Sequence, residues 1–144
     1  MANVVPNAFK GELLSGTHNL ASGGDSFKLA LYTANPYTTS STAYSSGAGN
    51  EVSGSAAGYS TGGSALTSQA VASSTATASV DFANLTFSSA TFSAAFGAIY
   101  HDDKSDKLVV MLDFGGTKTA TNGDFTIAFP DPSTPANAII SLTS

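Results

Sequence analysis

Apolar residues recur along this chain at two spacings, which divide it into one short helix and a succession of strands. Over 7–16 (NAFKGELLSG), Phe9 and Leu13 stand one helical turn apart. Asn7, following Pro6, is positioned to cap this helix and Gly16 to end it. Such a helix is too short to persist alone, so tertiary packing must hold it.

From there on the period is two. DSFKLALYT (25–33) turns Phe27, Leu29 and Leu31 one way and Lys28, Ala30 and Tyr32 the other, the pattern of a half-buried strand. TFSAAFGAIY (91–100) aligns Phe92, Ala94, Phe96, Ala98 and Tyr100. KLVVMLDF (107–114) is a continuous apolar run, as in a central strand, and DFTIAF (124–129) puts Phe125, Ile127 and Phe129 on one face. Further strands are expected at 78–82, continued by 85–87 after a register break, and at 137–143, with a weaker one in 65–73. HDDKSD (101–106) reads as a hairpin loop. GGTK (115–118) and TNGD (121–124) read as turns, and Asp131-Pro132 with Pro135 as a turn or edge crossing. The expected fold is all-β: an antiparallel β-sandwich or barrel of seven to eight short strands with one short N-terminal helix. It forms a single domain over 1–144, interrupted by a long Ser/Gly/Tyr-rich loop at about 34–64.

Composition narrows what such a domain does. Only 10% of residues are charged, with five Lys, no Arg and a net charge of −5. Nucleic-acid binding needs clustered basic residues, and Lys10, Lys28, Lys104, Lys107 and Lys118 are scattered, so no nucleic-acid partner is expected. The absence of Cys removes disulfides, thiolate nucleophiles and cysteine metal sites. Met1 to Asn7 has neither a basic n-region nor an apolar h-region, and no apolar run approaches a membrane span. A soluble chain without a secretory signal is therefore expected, with no membrane partner. Nine Phe and 42% hydrophobic residues argue against disorder. Small neutral side chains instead point to a surface that packs against neighbours at little desolvation cost.

Several residue patterns imitate chemistry. Gly58-Tyr59-Ser60-Thr61-Gly62 matches a nucleophile elbow, and Asp81 and His101 follow in hydrolase order. The elbow requires a helix after the Ser, and Gly62-Gly63 opposes one, so no catalytic residue is assigned. His101, Asp102, Asp103 and Asp106 lack the spacing of a calcium loop, and no metal or cofactor is expected. His18 has no partner in sequence and reads as a surface or helix-end residue. Gly47-Ala48-Gly49 lacks the strand and helix of a phosphate loop, and the Asn84-Leu85-Thr86 sequon has no secretory context. Tyr37, Tyr44 and Tyr59 lie in the polar segment 34–64. They either anchor a partner or pin the loop to its own domain; we take them as interface candidates, in a loop ordered by a neighbouring subunit.

Taken in order, a set of motifs resembles a family of small virion structural proteins of tailed bacteriophages. They are Asn7-Ala8-Phe9-Lys10 with Leu13-Leu14-Ser15-Gly16, then Phe27-Lys28-Leu29-Ala30-Leu31-Tyr32, and then Glu51-Val52-Ser53-Gly54 with Gly58-Tyr59-Ser60-Thr61-Gly62-Gly63. Thr91-Phe92, Ala98-Ile99-Tyr100, Leu112-Asp113-Phe114-Gly115 and Lys118-Thr119-Ala120 follow. Members often carry an Arg and a Trp near the strand of Thr91-Phe92, and this chain has neither. The resemblance implies a β-sandwich that cements or decorates the outer surface of a capsid, without enzymatic activity. The partners it implies are the major capsid protein and copies of itself, as trimers. It also implies that the Gly-Tyr-Ser-Thr-Gly match is a turn. A tail or fibre component is the alternative within structural proteins. A carbohydrate-binding module is the alternative outside them, weakened by the absence of Trp.

Overall fold

The helix forms where the spacing places it. In a computed structural model, which describes residues 3–46, 49–130 and 138–143, α1 spans Asn7–Leu14 and buries Phe9. Pro6, extended at ψ 146°, occupies the N-cap, and no side chain caps the helix there. Asn7 is therefore the first helical residue rather than the cap, and its Oδ1 accepts from Lys10 Nζ at 3.3 Å. The far end closes as expected: the Gly16 N–H bonds Leu13 O and the Thr17 N–H bonds Glu12 O.

Seven strands follow among the described residues: β1 (Phe27–Tyr32), β2 (Ser64–Ala65), β3 (Ala70–Ser73), β4 (Thr77–Asp81), β5 (Leu85–His101), β6 (Lys107–Ile127) and β7 (Ile140–Thr143). They build two antiparallel sheets, β2-β1-β5-β6 and β3-β4-β7. One apolar core joins them, with Phe27, Leu29, Leu31, Ile99 and Val110 from the first sheet meeting Val80 and Ile140 from the second. Phe9 of α1 enters the same core. The arrangement is a β-sandwich in which two strands are far longer than the rest.

Those long strands correct the expected turns. Residues 85–87 do not continue β4; the chain changes sheets after Asp81, and 85–101 is a single strand of 17 residues. Its partner β6 runs 21 residues through both GGTK and TNGD. Gly115 and Gly116, at φ 71° and 128°, do not reverse the chain but form a bulge. Three residues of β5, Ala94 to Phe96, there oppose the six from Asp113 to Lys118.

The bulge also changes which way β5 faces. Ala90, Phe92 and Ala94 belong to the core between the sheets. Beyond it, Ala98 and Tyr100 are buried in a second cluster, with Phe96 packed against it, while Ile99 takes the first core. The even positions 92–100 thus divide between two faces, because an irregularity shifts the two-residue period. β1 is likewise buried on both faces, not one: Ala30 and Tyr32 join Tyr37, Tyr100, Leu108 and Met111 in the second cluster. The weak 65–73 region resolves into β2 and β3. Residues 131–137, which hold the Pro-rich crossing and the start of the last expected strand, lie outside the described residues, as do Gly47 and Ala48.

A continuous β6 has a measurable consequence. Amides 117–125 should show alternating protection from hydrogen exchange, set by pairs such as Ser93↔Thr119 and Ala94↔Lys118. Uniformly fast exchange over 115–124 would restore the two turns.

Candidate functional site

The three tyrosines of the 34–64 segment face inward. Tyr37 and Tyr59 are buried, and Tyr44 is half-buried with its ring stacked on Tyr100 at 4.3 Å between centroids and 10° between planes. Their apolar area is spent on their own domain. Tyr37 and Tyr44 cover the second face of β1 and β5, and Tyr59 enters the core between the sheets.

Glu51 is the polar centre of this packing, and sequence reasoning passed over it. It pairs with Tyr32 beside β1, where the Val52 N–H bonds Leu31 O and the Thr33 N–H bonds Asn50 O. Its Oε1 accepts from the Tyr59 hydroxyl at 2.8 Å and the Gly62 N–H at 2.7 Å, and its Oε2 accepts from the Tyr44 hydroxyl at 3.0 Å. One carboxyl group thereby ties side chains from both faces of the sheet. Tyr59 Oη also accepts from the Leu31 N–H at 3.1 Å, and the Tyr100 hydroxyl donates to Gly62 O at 2.7 Å. Tyr32 and Tyr37 share a hydroxyl–hydroxyl bond of 3.0 Å, and the Ser45 N–H donates to Tyr37. Burial first, and the nearby Glu51 second, push the Tyr44 hydroxyl up to about 12. Burial also drives Tyr32, Tyr59 and Tyr100 further above their ordinary value. These phenols are held neutral as hydrogen-bond donors.

The Gly-Tyr-Ser-Thr-Gly motif acquires a structural reason. Gly63, at φ 74°, passes so close to β1 that a Cβ there would lie 1.7 Å from Leu29 O. The turn brings the Tyr59 ring inward and leaves Ser60 exposed. His101, the residue a triad would need, is fully buried and bonds His18 across the domain. Asp81 sits in β4 of the other sheet.

His18 and His101 correct two further expectations. His18 is buried rather than on the surface, and His101 is the last residue of β5 rather than part of a loop. Their Nδ1 atoms lie 2.8 Å apart. The rest of the hairpin tip is tied down: Asp102 pairs with Lys28 at 2.9 Å, and Asp103 accepts from the Ser26 N–H at 3.0 Å. Among the described residues no group of three or more His, Asp or Glu is placed to hold a metal ion. No helix there is long and apolar enough to cross a membrane.

One outward-facing feature among the described residues is apolar. A groove of about 500 Å³ runs between α1 and β7, lined by Val5, Phe9, Leu13, Leu14, Ile139 and Leu142. A second hollow shares Leu13 and Leu142 with it and extends to Val71 on β3. Leu14, Leu142 and Val71 are 89%, 57% and 52% exposed. Scattered surface leucines are ordinary, but these three border contiguous hollows.

Compared with known proteins, the chain matches no family model, no curated protein and no solved structure.

Glu51→Ala would leave two hydroxyls and a backbone N–H without their acceptor. The expected loss is about 3 kcal/mol of unfolding free energy, read from the urea midpoint. Ser60→Ala, at an exposed neighbouring position, should stay within about 0.5 kcal/mol.

Proposed function

We propose that this chain is a structural subunit of a bacteriophage particle, one that cements or decorates the outer surface of the capsid and works by packing. The observation that carries the reading is the apolar surface around α1 and β7, with Leu14 89% and Leu142 57% exposed on a chain of which only 10% is charged. A contiguous apolar surface on a chain with so few charges suits burial against another protein. The order of motifs resembling small virion proteins supports a particle as the setting. A net charge of −5 supports the outer surface, because packaged nucleic acid would repel an acidic subunit. In this role the groove seats on the major capsid protein, bridging adjacent capsid subunits, and copies of the chain gather around three-fold positions. Tying subunits together resists internal pressure without any covalent step. A tail or fibre position uses the same surface and differs only in the neighbour it meets.

Leu14→Asp combined with Leu142→Asp should lower occupancy on particles at least about tenfold, since each change puts a charge into a desolvated contact. Occupancy of the unaltered chain should change little between about 0.05 and 0.5 M salt, because few charges are available to form ion pairs. The position itself is read from an electron-microscopy map of the intact particle. Full occupancy by the double variant, release by moderate salt, or density confined to the tail would overturn the capsid reading.

A further inference from the structure

Six side chains form a continuous line beneath α1: Lys107, Glu12, His18, His101, Asp25 and Lys104. The two in the middle are the only histidines of the chain, and both side chains are 0% exposed. They come from separate parts of the fold, His18 from the segment after α1 and His101 from the end of β5.

The contacts fix how many protons the pair can hold. An Nδ1–Nδ1 separation of 2.8 Å needs one proton between the rings: two bare nitrogens repel, and two N–H groups collide. His18 Nε2 lies 2.9 Å from Glu12 Oε2 and needs a proton to donate there. His101 Nε2 lies 3.4 Å from Asp25 Oδ2, within ion-pair reach but without a hydrogen bond.

Both carboxyl groups are kept as acceptors. Burial pushes Glu12 up, but hydrogen bonds from Lys107 and His18 outweigh it and hold Glu12 below its ordinary range. Burial likewise pushes Asp25 up, and hydrogen bonds from the Asn19 N–H and Lys104 outweigh it. Two neutral rings therefore serve Glu12 and the bond between the rings, leaving a bare nitrogen of His101 facing a carboxylate. A third proton, on His101 Nε2, gives all four ring nitrogens a partner. A fourth has only the filled slot between the Nδ1 atoms, and it forces the rings apart.

We infer that the His18–His101 pair is an acid-operated clasp, closed with two or three protons and opened by a fourth, which releases α1 and the segment 15–26 from the β5–β6 hairpin. The clasp holds apolar surface as well as charge. His18 packs on Phe9 at 5.0 Å and His101 on Phe27 at 4.8 Å between ring centroids, so parting the rings uncovers both phenylalanines. Leu13 and Leu14 of the same helix wall the apolar groove, so opening also reshapes that face. This consequence for binding rests on the proposed function; the clasp does not.

The charges around the pair set its working range. Glu12 faces it from α1, Asp25 from the segment before β1, Asp103 and Lys104 from the hairpin, and Lys107 from β6, with the Lys28–Asp102 pair at the border. Burial lowers His101 below its ordinary 6.5, His18 and Lys104 act in the same direction, and Asp25 and Asp103 oppose them. A base whose folded value is depressed binds fewer protons in the folded state. Stability is therefore full above pH 6.5 and falls as the pH drops below it. Without Cys, no other side chain of ordinary pKa titrates between about pH 5 and 7.

The test follows the histidine ring nitrogens by NMR and the backbone amides by hydrogen exchange, on the full chain from about pH 7.5 to 4.5. A proton shared between the two Nδ1 atoms is expected at the upper end. The next proton should enter at His101 Nε2 with amides 8–26 still protected. Further acid should then cost those amides at least about tenfold in protection before amides 97–100 and 108–112 respond. His101→Gln should abolish this acid response; if that variant does not fold, the unaltered chain decides. Two rings titrating independently near pH 6.5, or loss of protection everywhere at once, would overturn the clasp. Neither outcome depends on whether the protein binds a capsid.

Discussion

Burial of β1 on both faces is the constraint on which the rest of this structure depends. Leu29 and Leu31 enter the core between the sheets, while Ala30 and Tyr32 enter the second cluster. A strand covered on one side only could leave its partner loop free. Here the second face needs a lid, and the chain supplies one from two places. The N-terminal segment pairs Val4 with Met111, each donating to the other at 2.8 Å, and the 34–64 segment lays Tyr37 and Tyr44 over the sheet. Aromatic residues suit this task because each covers a large area with few rotatable bonds, while its hydroxyl still finds a partner. Glu51 gathers several of those partners, so a segment poor in aliphatic residues is held by hydrogen bonds at its core and by rings around them.

Much of this architecture was legible in the sequence, and the failures have physical causes. Two-residue alternation identified the apolar faces of β1 and the far end of β6, and the charged run at 101–106 marked the hairpin. Alternation could not reveal that β1 is covered twice, since Ala30 and Tyr32 read as a solvated face until their lid is known. Gly115-Gly116 read as a turn because glycine signals positive φ, and the signal was right; the structure uses it for a bulge within a paired strand. That bulge then defeated the single face assigned to 92–100. Asn7 lost the capping position to Pro6, whose extended backbone already begins the helix.

The candidate sites show the same division. Tyr37, Tyr44 and Tyr59 were singled out for being aromatic in a polar stretch, which located a real cluster but not its direction. The signal that could have corrected this was Glu51, a lone acid among three tyrosines and several glycines. His18 and His101 stand 83 positions apart, and no local pattern joins them. Only the return of β5 to the foot of α1 brings them together. With the loop turned inward, the exposed apolar side chains Leu14 and Leu142 lie on α1 and β7. The histidine pair and that surface share α1, whose Glu12 contacts His18 and whose Leu13 and Leu14 line the groove.

Because the chain has five Tyr and no Trp, tyrosine emission reports the doubly covered sheet without interference. Collisional quenching by iodide, measured on the isolated protein, tests directly whether the sheet is closed by its own loop. With four of the five rings buried and Tyr44 half-buried, quenching should remain a small fraction of that in urea and rise only with global unfolding. Quenching in native buffer close to the unfolded value would mean that the tyrosines are open to solvent, and the account of a sheet closed by its own loop would be wrong.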